Sequence, residues 1–333
     1  MSTAFEDKPK VVVLLTTYRD PPLLANILKS IKETVYPNFE LLIVDCCSNR
    51  LQKTIDSAEL TVPVKFVSLD EDYGAAYQLN IGMWLAMNKA TKYIARLEGD
   101  AIPQNPTWLK ELVSVMENDE TIAVAMPFDI DRFGKVGWGG KLYGNGTFCV
   151  KPYGLPCFSK VVPCLGTGGH CFITRKTYIE ELFKAGVKPY WDLFYISSED
   201  LDFNLKPWLK SYKVVTVASI KVLHEGSSMP KDQSYRAPYR VYHMYKNRVC
   251  FLLFNFGYKH ILVNIWYRLL HDFLSAVAHS EVLLMLKGYC WVLGHFKTIL
   301  LHRNLRMTYW KNVSDKKLKD SVLVKLPMPI KKE

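Results

Sequence analysis

The sequence has few of the marks of a secreted, disulfide-bonded or membrane-spanning chain. It has 8 cysteines (Cys46, Cys47, Cys149, Cys157, Cys164, Cys171, Cys250 and Cys290) but no C-x-x-C pair. The spacing between Cys149 and Cys171 matches no usual zinc pattern. Residues 1–10 are polar and lack an apolar signal core. Both absences point to a reducing cytosol, where disulfides are not expected. No apolar stretch reaches the roughly 18 residues that a membrane-spanning helix needs. The longest, near the C-terminus, are broken by Lys259, Arg268, Asp272, Glu281 and Lys287. Acidic residues are outnumbered, with 32 against 43 lysines and arginines, for a net charge of +11. That balance implies an anionic partner: nucleic acid, a phosphorylated ligand or anionic lipid.

What is present is ample for a core. Hydrophobic residues make up 49% of 333 positions, which excludes a disordered chain and allows one large domain or two smaller ones. Lys10 to Leu15 is a continuous apolar run, the pattern of a strand buried on both faces. Further strands are predicted at Phe39–Val44, Val64–Leu69, Lys92–Leu97, Ile122–Met126, Cys171–Thr174, Lys213–Val217 and Ile220–Leu223. Helical spacing follows the first strand at Leu23, Ile27, Leu28 and Ile31, and recurs at Gly74–Asn88, Trp108–Met116 and from Lys176. Strands alternating with helices imply an α/β fold with right-handed crossovers and a mostly parallel sheet. Ligands of such sheets bind beyond the carboxyl ends of the strands. Tyr18, Asp45, Glu98 and Asp100 all lie at such ends.

Glu98-Gly99-Asp100 carries the strongest chemical signal. Alternate residues of a strand point the same way, so the two carboxylates converge just past the strand end. Convergent carboxylates suit a hard divalent cation, and the cation suits a diphosphate; the bland reading is a solvated acidic turn. Ser197-Ser198-Glu199-Asp200-Leu201-Asp202 places three more acids at a helix start, where the serines can cap and the acids meet the positive dipole end. Residues 131–163 are rich in glycine and aromatics, as expected of a binding loop. Beyond Tyr239 the chain turns helical, basic and aromatic. Asn264, Arg268, His271, Asp272, Ser275 and His279 form one polar stripe on an otherwise apolar helix, and lysines crowd the tail. Amphipathic helices with a basic flank fit the face of a membrane; a helical subdomain packed on the core, or an oligomer contact, is the other reading.

With these residues in place, the chain resembles the family 2 glycosyltransferases of GT-A fold. These include bacterial and archaeal rhamnosyl-, galactofuranosyl- and dolichol-phosphate sugar transferases. VVVLLTTYRD is similar to the family's first strand and nucleotide loop, and LLIVDCCSNR to its second strand. Asp72-Tyr73-Gly74-Ala75-Ala76 with Asn80-Ile81-Gly82 resembles its glycine- and asparagine-marked helix start. Glu98-Gly99-Asp100 falls where the family has D-x-D, with glutamate in the first place. Glu199-Asp200-Leu201-Asp202 resembles its E-D-x-D, His224 with Gly226 and Ser227 its H-x-x-G-x-S, and Lys246-Asn247-Arg248 the basic opening of the C-terminal helices. The resemblance implies a GT-A domain over 1–250 and a C-terminal amphipathic helical region over 251–333. It implies that Thr17, Tyr18, Arg19, Asp45, Gly74, Asn80 and Glu98 serve a nucleoside-diphosphate sugar linked to UDP, GDP or dTDP. Asp100, His224 and Glu98 would hold Mn²⁺ or Mg²⁺. Asp200, with Glu199 next, would act as general base in an inverting hexosyl transfer. His170, Trp138 and Trp191 are candidates for acceptor or sugar contacts, against ordinary structural roles. The acceptor would be a glycan or a lipid-linked carrier, reached by a peripheral protein on the cytosolic face of a membrane.

Three other readings compete. A sugar nucleotidylyltransferase would want a glycine-rich loop after the first strand, and TTYRDPP has no glycine. A nucleic-acid-binding protein suits the charge, yet acids sit at the strand ends and the lysines gather in the tail. A degenerate transferase serving as membrane scaffold would not need Asp100, Glu199, Asp200 and His224 intact.

Overall fold

The computed structural model describes residues 8–130, 136–143, 148–151, 161–165, 168–224, 236–309 and 323–324, of which 136–143, 148–151 and 323–324 are described as backbone alone. In chain order the elements are β1 (Lys10–Tyr18), α1 (Leu24–Lys32), β2 (Phe39–Cys46), α2 (Leu51–Ser57), β3 (Val64–Leu69), α3 (Ala75–Ala86), β4 (Thr91–Glu98), β5 (Ala101–Pro103), α4 (Trp108–Asn118) and β6 (Ile122–Ile130). Then come β7 (Val136–Tyr143), β8 (Phe148–Lys151), β9 (Val161–Pro163), β10 (Cys171–Arg175), α5 (Lys176–Lys184), a single 3-10 turn at Asp192–Phe194, α6 (Glu199–Leu209) and β11 (Lys213–His224). The C-terminal elements are α7 (Pro238–Asn255), α8 (Tyr258–Ala278), α9 (Val282–Gly294), α10 (Phe296–Tyr309) and the short β12 (Leu323–Val324).

The expected α/β fold is what forms. β3, β2, β1 and β4 pair in parallel, in that order. β10 then enters antiparallel between β4 and β6, and β11 pairs parallel with β6. Apolar side chains of β1 alternate between two clusters. Val12 and Leu14 face one with α3, α6 and the C-terminal helices; Val11, Val13 and Leu15 face the other with α1 and α4. This two-sided burial is why the strand reads as a continuous apolar run rather than an alternation.

Some local expectations are corrected. The two predicted strands at 213–223 are one strand, β11, whose register on β6 slips between Val217 and Lys221; the slip is a bulge that makes the middle look like a break. The loop expected over 131–163 contains β7, β8 and β9. The serines before α6 do not cap it: Ser197 and Ser198 are both left-handed, at φ 71° and 70°, and Ser198 makes no side-chain cap bond. α7 runs through residue 250, and its Val249, Phe251 and Phe254 join the same cluster as Leu14 and Phe172.

Candidate active site

Strand register assembles the site. Because β10 is antiparallel to β4, with Cys171 opposite Leu97, its first residues arrive where β4 ends. His170 is thereby set opposite Glu98, whose backbone N–H donates to the His170 carbonyl at 2.9 Å. β11 brings His224 opposite Ala101 of β5, beside Asp100, and β6 contributes Asp129 near its own end. Four separate chain segments thus meet at one edge of the sheet.

The side chains interlock there. Glu98 accepts from His170 Nδ1 at 2.8 Å and from Arg96 Nη2. His170 Nε2 lies 4.0 Å from Asp129 Oδ2, and His224 Nε2 lies 3.3 Å from Asp100 Oδ2. The two imidazoles stack at 3.4 Å. Burial alone would lower the His170 pKa; the hydrogen bond and charge of Glu98 outweigh it and raise it to about 10. The same Arg96 and His170 hold the Glu98 carboxyl well below the usual carboxylate range, against the effect of burial. Ligand atoms of Glu98, His170 and His224 lie within 4.8 Å of one another. Asp100 Oδ2 is buried without a hydrogen-bond partner among the described residues. A mixed carboxylate and imidazole set of this kind fits a divalent metal. Sequence reasoning offered His170 as a candidate for acceptor or sugar contact or as a structural histidine; the structure sets it against Glu98.

Arg96 joins this cluster to the acids of α6. It is a fully buried guanidinium in the middle of a strand, and Nη1 donates to Asp200 Oδ1 at 2.6 Å while Nη2 donates to Glu98. The rings of Phe172 and Tyr190 flank it at 5.9 and 5.8 Å. Burial opposes the charge, but Asp200 and Glu98 outweigh it and keep the group firmly protonated. Gly169 lies over the pair so closely that any Cβ would strike both Asp200 and Arg96. No donor among the described residues bonds Asp200 Oδ2, which leaves that oxygen available to a ligand. Glu199 beside it is buried with Oε2 unpartnered, and burial together with the Asp200 charge pushes its pKa up to about 8. The left-handed approach to these acids is pinned from α7. Asn247 Nδ2 donates to the carbonyls of Phe194, Ile196 and Ser197 at 2.6–2.8 Å, and Lys246 Nζ to that of Leu193 at 2.6 Å.

The other predicted residues fall into two groups. At the ends of β1 and β2, Thr17 Oγ1 donates to Asp45 Oδ1 at 2.6 Å, and Ser48 donates to the same carboxylate through Oγ and its backbone N–H. Both Thr17 and Asp45 are buried, so they form a floor. Tyr18, whose hydroxyl donates to Asp72 at 2.9 Å, and Arg19, packed 5.0 Å over the Tyr18 ring, form the rim above it. Gly74 adopts φ 87° against the Tyr195 ring, a combination that excludes any side chain. Asn80 is different: its amide is committed to the Tyr190 backbone and to Asp192, tying α3 to the segment before α6. Trp191 is buried against Phe194, Phe254 and His302, as core. The Trp138 side chain lies outside the described residues. Sequence reasoning missed Arg96, Asp129 and Gly169, and read Asn247 only as part of the basic opening of the C-terminal helices; of the three missed, Arg96, a charge inside the apolar run YIARL, leaves a visible signal.

Residues 12–183, just over half the chain, match the profile of the family described as Glycosyl transferase family 2. The O-antigen biosynthesis protein RfbC of Myxococcus xanthus is 27% identical over 231 residues, covering 66% of this chain but 18% of that protein. The fold is similar to that of GalNAc-T7 solved with UDP, GalNAc and Mn²⁺, with TM-score 0.57 at 18% identity, over 75% of this chain and 48% of that one. It is also similar to residues 1–349 of Staphylococcus aureus TarS, with TM-score 0.54 at 14% identity, over 92% of this chain and 93% of that one. At such identities the two structures speak for the GT-A fold alone. The profile match, over a sheet edge built in this way, shows that the chain belongs to glycosyl transferase family 2.

Proposed function

We propose that the protein transfers a sugar from a nucleoside diphosphate to a hydroxyl acceptor, by a single displacement that inverts the anomeric centre. The observation that carries this reading is Arg96, which binds a carboxylate of the cation-suited cluster with one nitrogen and the carboxylate of Asp200 with the other. A donor diphosphate at Glu98, Asp100, His170 and His224 then leaves its sugar facing Asp200. The nucleoside lies toward β1 and β2, over Thr17 and Asp45 and under Tyr18 and Arg19. Mn²⁺ or Mg²⁺ at the cluster supplies a positive charge that offsets the charge building on the leaving diphosphate.

Asp200 Oδ2 takes the proton of the acceptor hydroxyl as it attacks the anomeric carbon, while Arg96 on Oδ1 fixes the carboxylate in place and favours its ionised form. Removal of this base commonly costs about 10²–10⁴ in rate. The test is sugar transfer and donor hydrolysis across UDP-, GDP- and dTDP-sugars, with and without Mn²⁺. The expected result is metal-dependent turnover of one donor class, with Asp200→Asn losing turnover but retaining donor binding. A chain that binds no nucleotide sugar in the presence of metal overturns the proposal, and full turnover by Asp200→Asn overturns the base assignment.

A further inference from the structure

α8 is folded with its polarity reversed. Three residues of its polar stripe face inward, with Arg268 1% exposed, Asp272 0% exposed and Asn264 buried beside them, while His271 and His279 stay exposed. Asp272 accepts from Arg248 at 3.0 Å, from Arg268 at 2.7 Å and from Tyr289 at 3.1 Å, so the buried charge is fully partnered. The apolar face is left outside. Trp266 is 70% exposed and Leu262 69%, and Val263, Leu270, Phe273 and Leu274 lie open along the same helix. α9 and α10 continue the pattern with exposed Leu283, Leu293 and Leu301. An apolar surface of this extent is not a stable face toward water.

The charges around it decide what covers it. Residues 258–309 contain two carboxylates, Asp272 and Glu281, and both are buried and paired, Glu281 with Arg236 at 2.8 Å. The exposed formal charges on these helices, Lys259, Lys287 and Lys297, are all positive. A second copy of the chain meeting this face across a two-fold axis would set lysine-rimmed surface against lysine-rimmed surface with no exposed acid to compensate. Lipid phosphates compensate directly. Among the described residues no helix is long and apolar enough to cross a membrane. An exposed apolar face with tryptophan and tyrosine on it and a basic rim instead matches a helix lying in the interfacial plane. We infer that the outer face of α8, with the neighbouring apolar residues of α9 and α10, docks on the surface of an anionic lipid bilayer. This rests on the helices alone and holds whatever the transfer chemistry.

The test is flotation of the full chain with vesicles of phosphatidylglycerol and phosphatidylcholine, beside vesicles of phosphatidylcholine alone. The protein should co-float with the anionic vesicles and less with the neutral ones. Combining Trp266→Ser, Leu270→Ser and Phe273→Ser, all at exposed positions, should reduce partitioning about tenfold or more with an unchanged melting temperature. As a measurement on the unaltered chain, hydrogen exchange should slow in 262–277 when anionic vesicles are added, and not in β1 or β4. Absence of flotation, undiminished flotation of the variant, or a dimer that the three substitutions dissociate while neither form binds vesicles would each overturn the inference.

Discussion

Arg96 shows how one residue can decide the character of a site. A guanidinium in the middle of β4 has no water to solvate it, and its two carboxylate partners come from positions 98 and 200. Removing either acid leaves a buried, half-paired charge, which costs about 3–5 kcal/mol. Gly169 is the counterpart, since nothing larger leaves room for the pair. Glu199 is the residue whose ionisation is least comfortable. Its pKa is near 8 in the fold, above its ordinary value, so between those two values the folded protein holds a proton that the unfolded chain has lost. Stability from this group is therefore present in full below pH 4.5 or so and declines as pH rises through about 8. Glu199→Gln removes the decline. In paired thermal melts, the variant should gain on the wild type by about 2 °C or more at pH 8 relative to pH 5. A difference that does not change with pH would mean that Glu199 is ionised throughout.

Among the elements, α6 is the one held from most sides. Its Asp202 is buried and receives Lys206 Nζ at 2.6 Å, Arg306 of α10 at 2.6 and 2.7 Å, and Asn255 of α7 at 2.9 Å. Those cations outweigh burial and hold its carboxyl below the usual range, while burial drives the Lys206 pKa down to about 7. Sequence reasoning offered Asp202 either as a helix cap or as a partner of Arg or Lys; the second is what forms, though Arg306 and Asn255, more than fifty residues away, leave no local trace. Asp202→Asn keeps the shape but strands Arg306 beside Lys206, and should cost about 3–5 kcal/mol in a denaturant melt. A loss under about 1 kcal/mol would show that Lys206 simply gives up its proton. The same asymmetry governs what could be read along the chain. β1, β2, β3, β4 and α4 were legible, since each is a run of apolar residues at a single period. α2, with only Leu51 and Ile55 buried, the glycine-rich β7, and β8 and β9, of four and three residues, were not. The polar stripe of α8 was legible as a stripe, but periodicity cannot tell which face meets solvent. That depended on Arg248 and Tyr289 from other helices.

At the scale of the whole molecule, the site exists only when the sheet is complete. Glu98 and Asp100 were readable because they share a strand end, and His224 because it closes a motif. Asp129 was not, and His170 was readable as a candidate but not as the partner of Glu98, since that place depends on β10 running antiparallel between β4 and β6, which no local pattern encodes. Ligands drawn from three segments, at 98–100, 170 and 224, lie far apart along the unfolded chain. A metal bound there stabilises the fold alone, by about 2.7 kcal/mol when it is present at a hundred times its dissociation constant. Before it binds, His170 carries a proton that the metal must displace, so affinity should rise with pH. Thermal melts with added Mn²⁺ should therefore show a higher midpoint, reversed by chelator and larger at pH 8 than at pH 6. His170→Ala and His224→Ala should abolish the increase, whereas Asp200→Asn, on the far side of Arg96, should keep it. An increase that survives both histidine substitutions would place the cation elsewhere, and the cluster would then be a set of internal ion pairs that shapes the strand ends without holding metal.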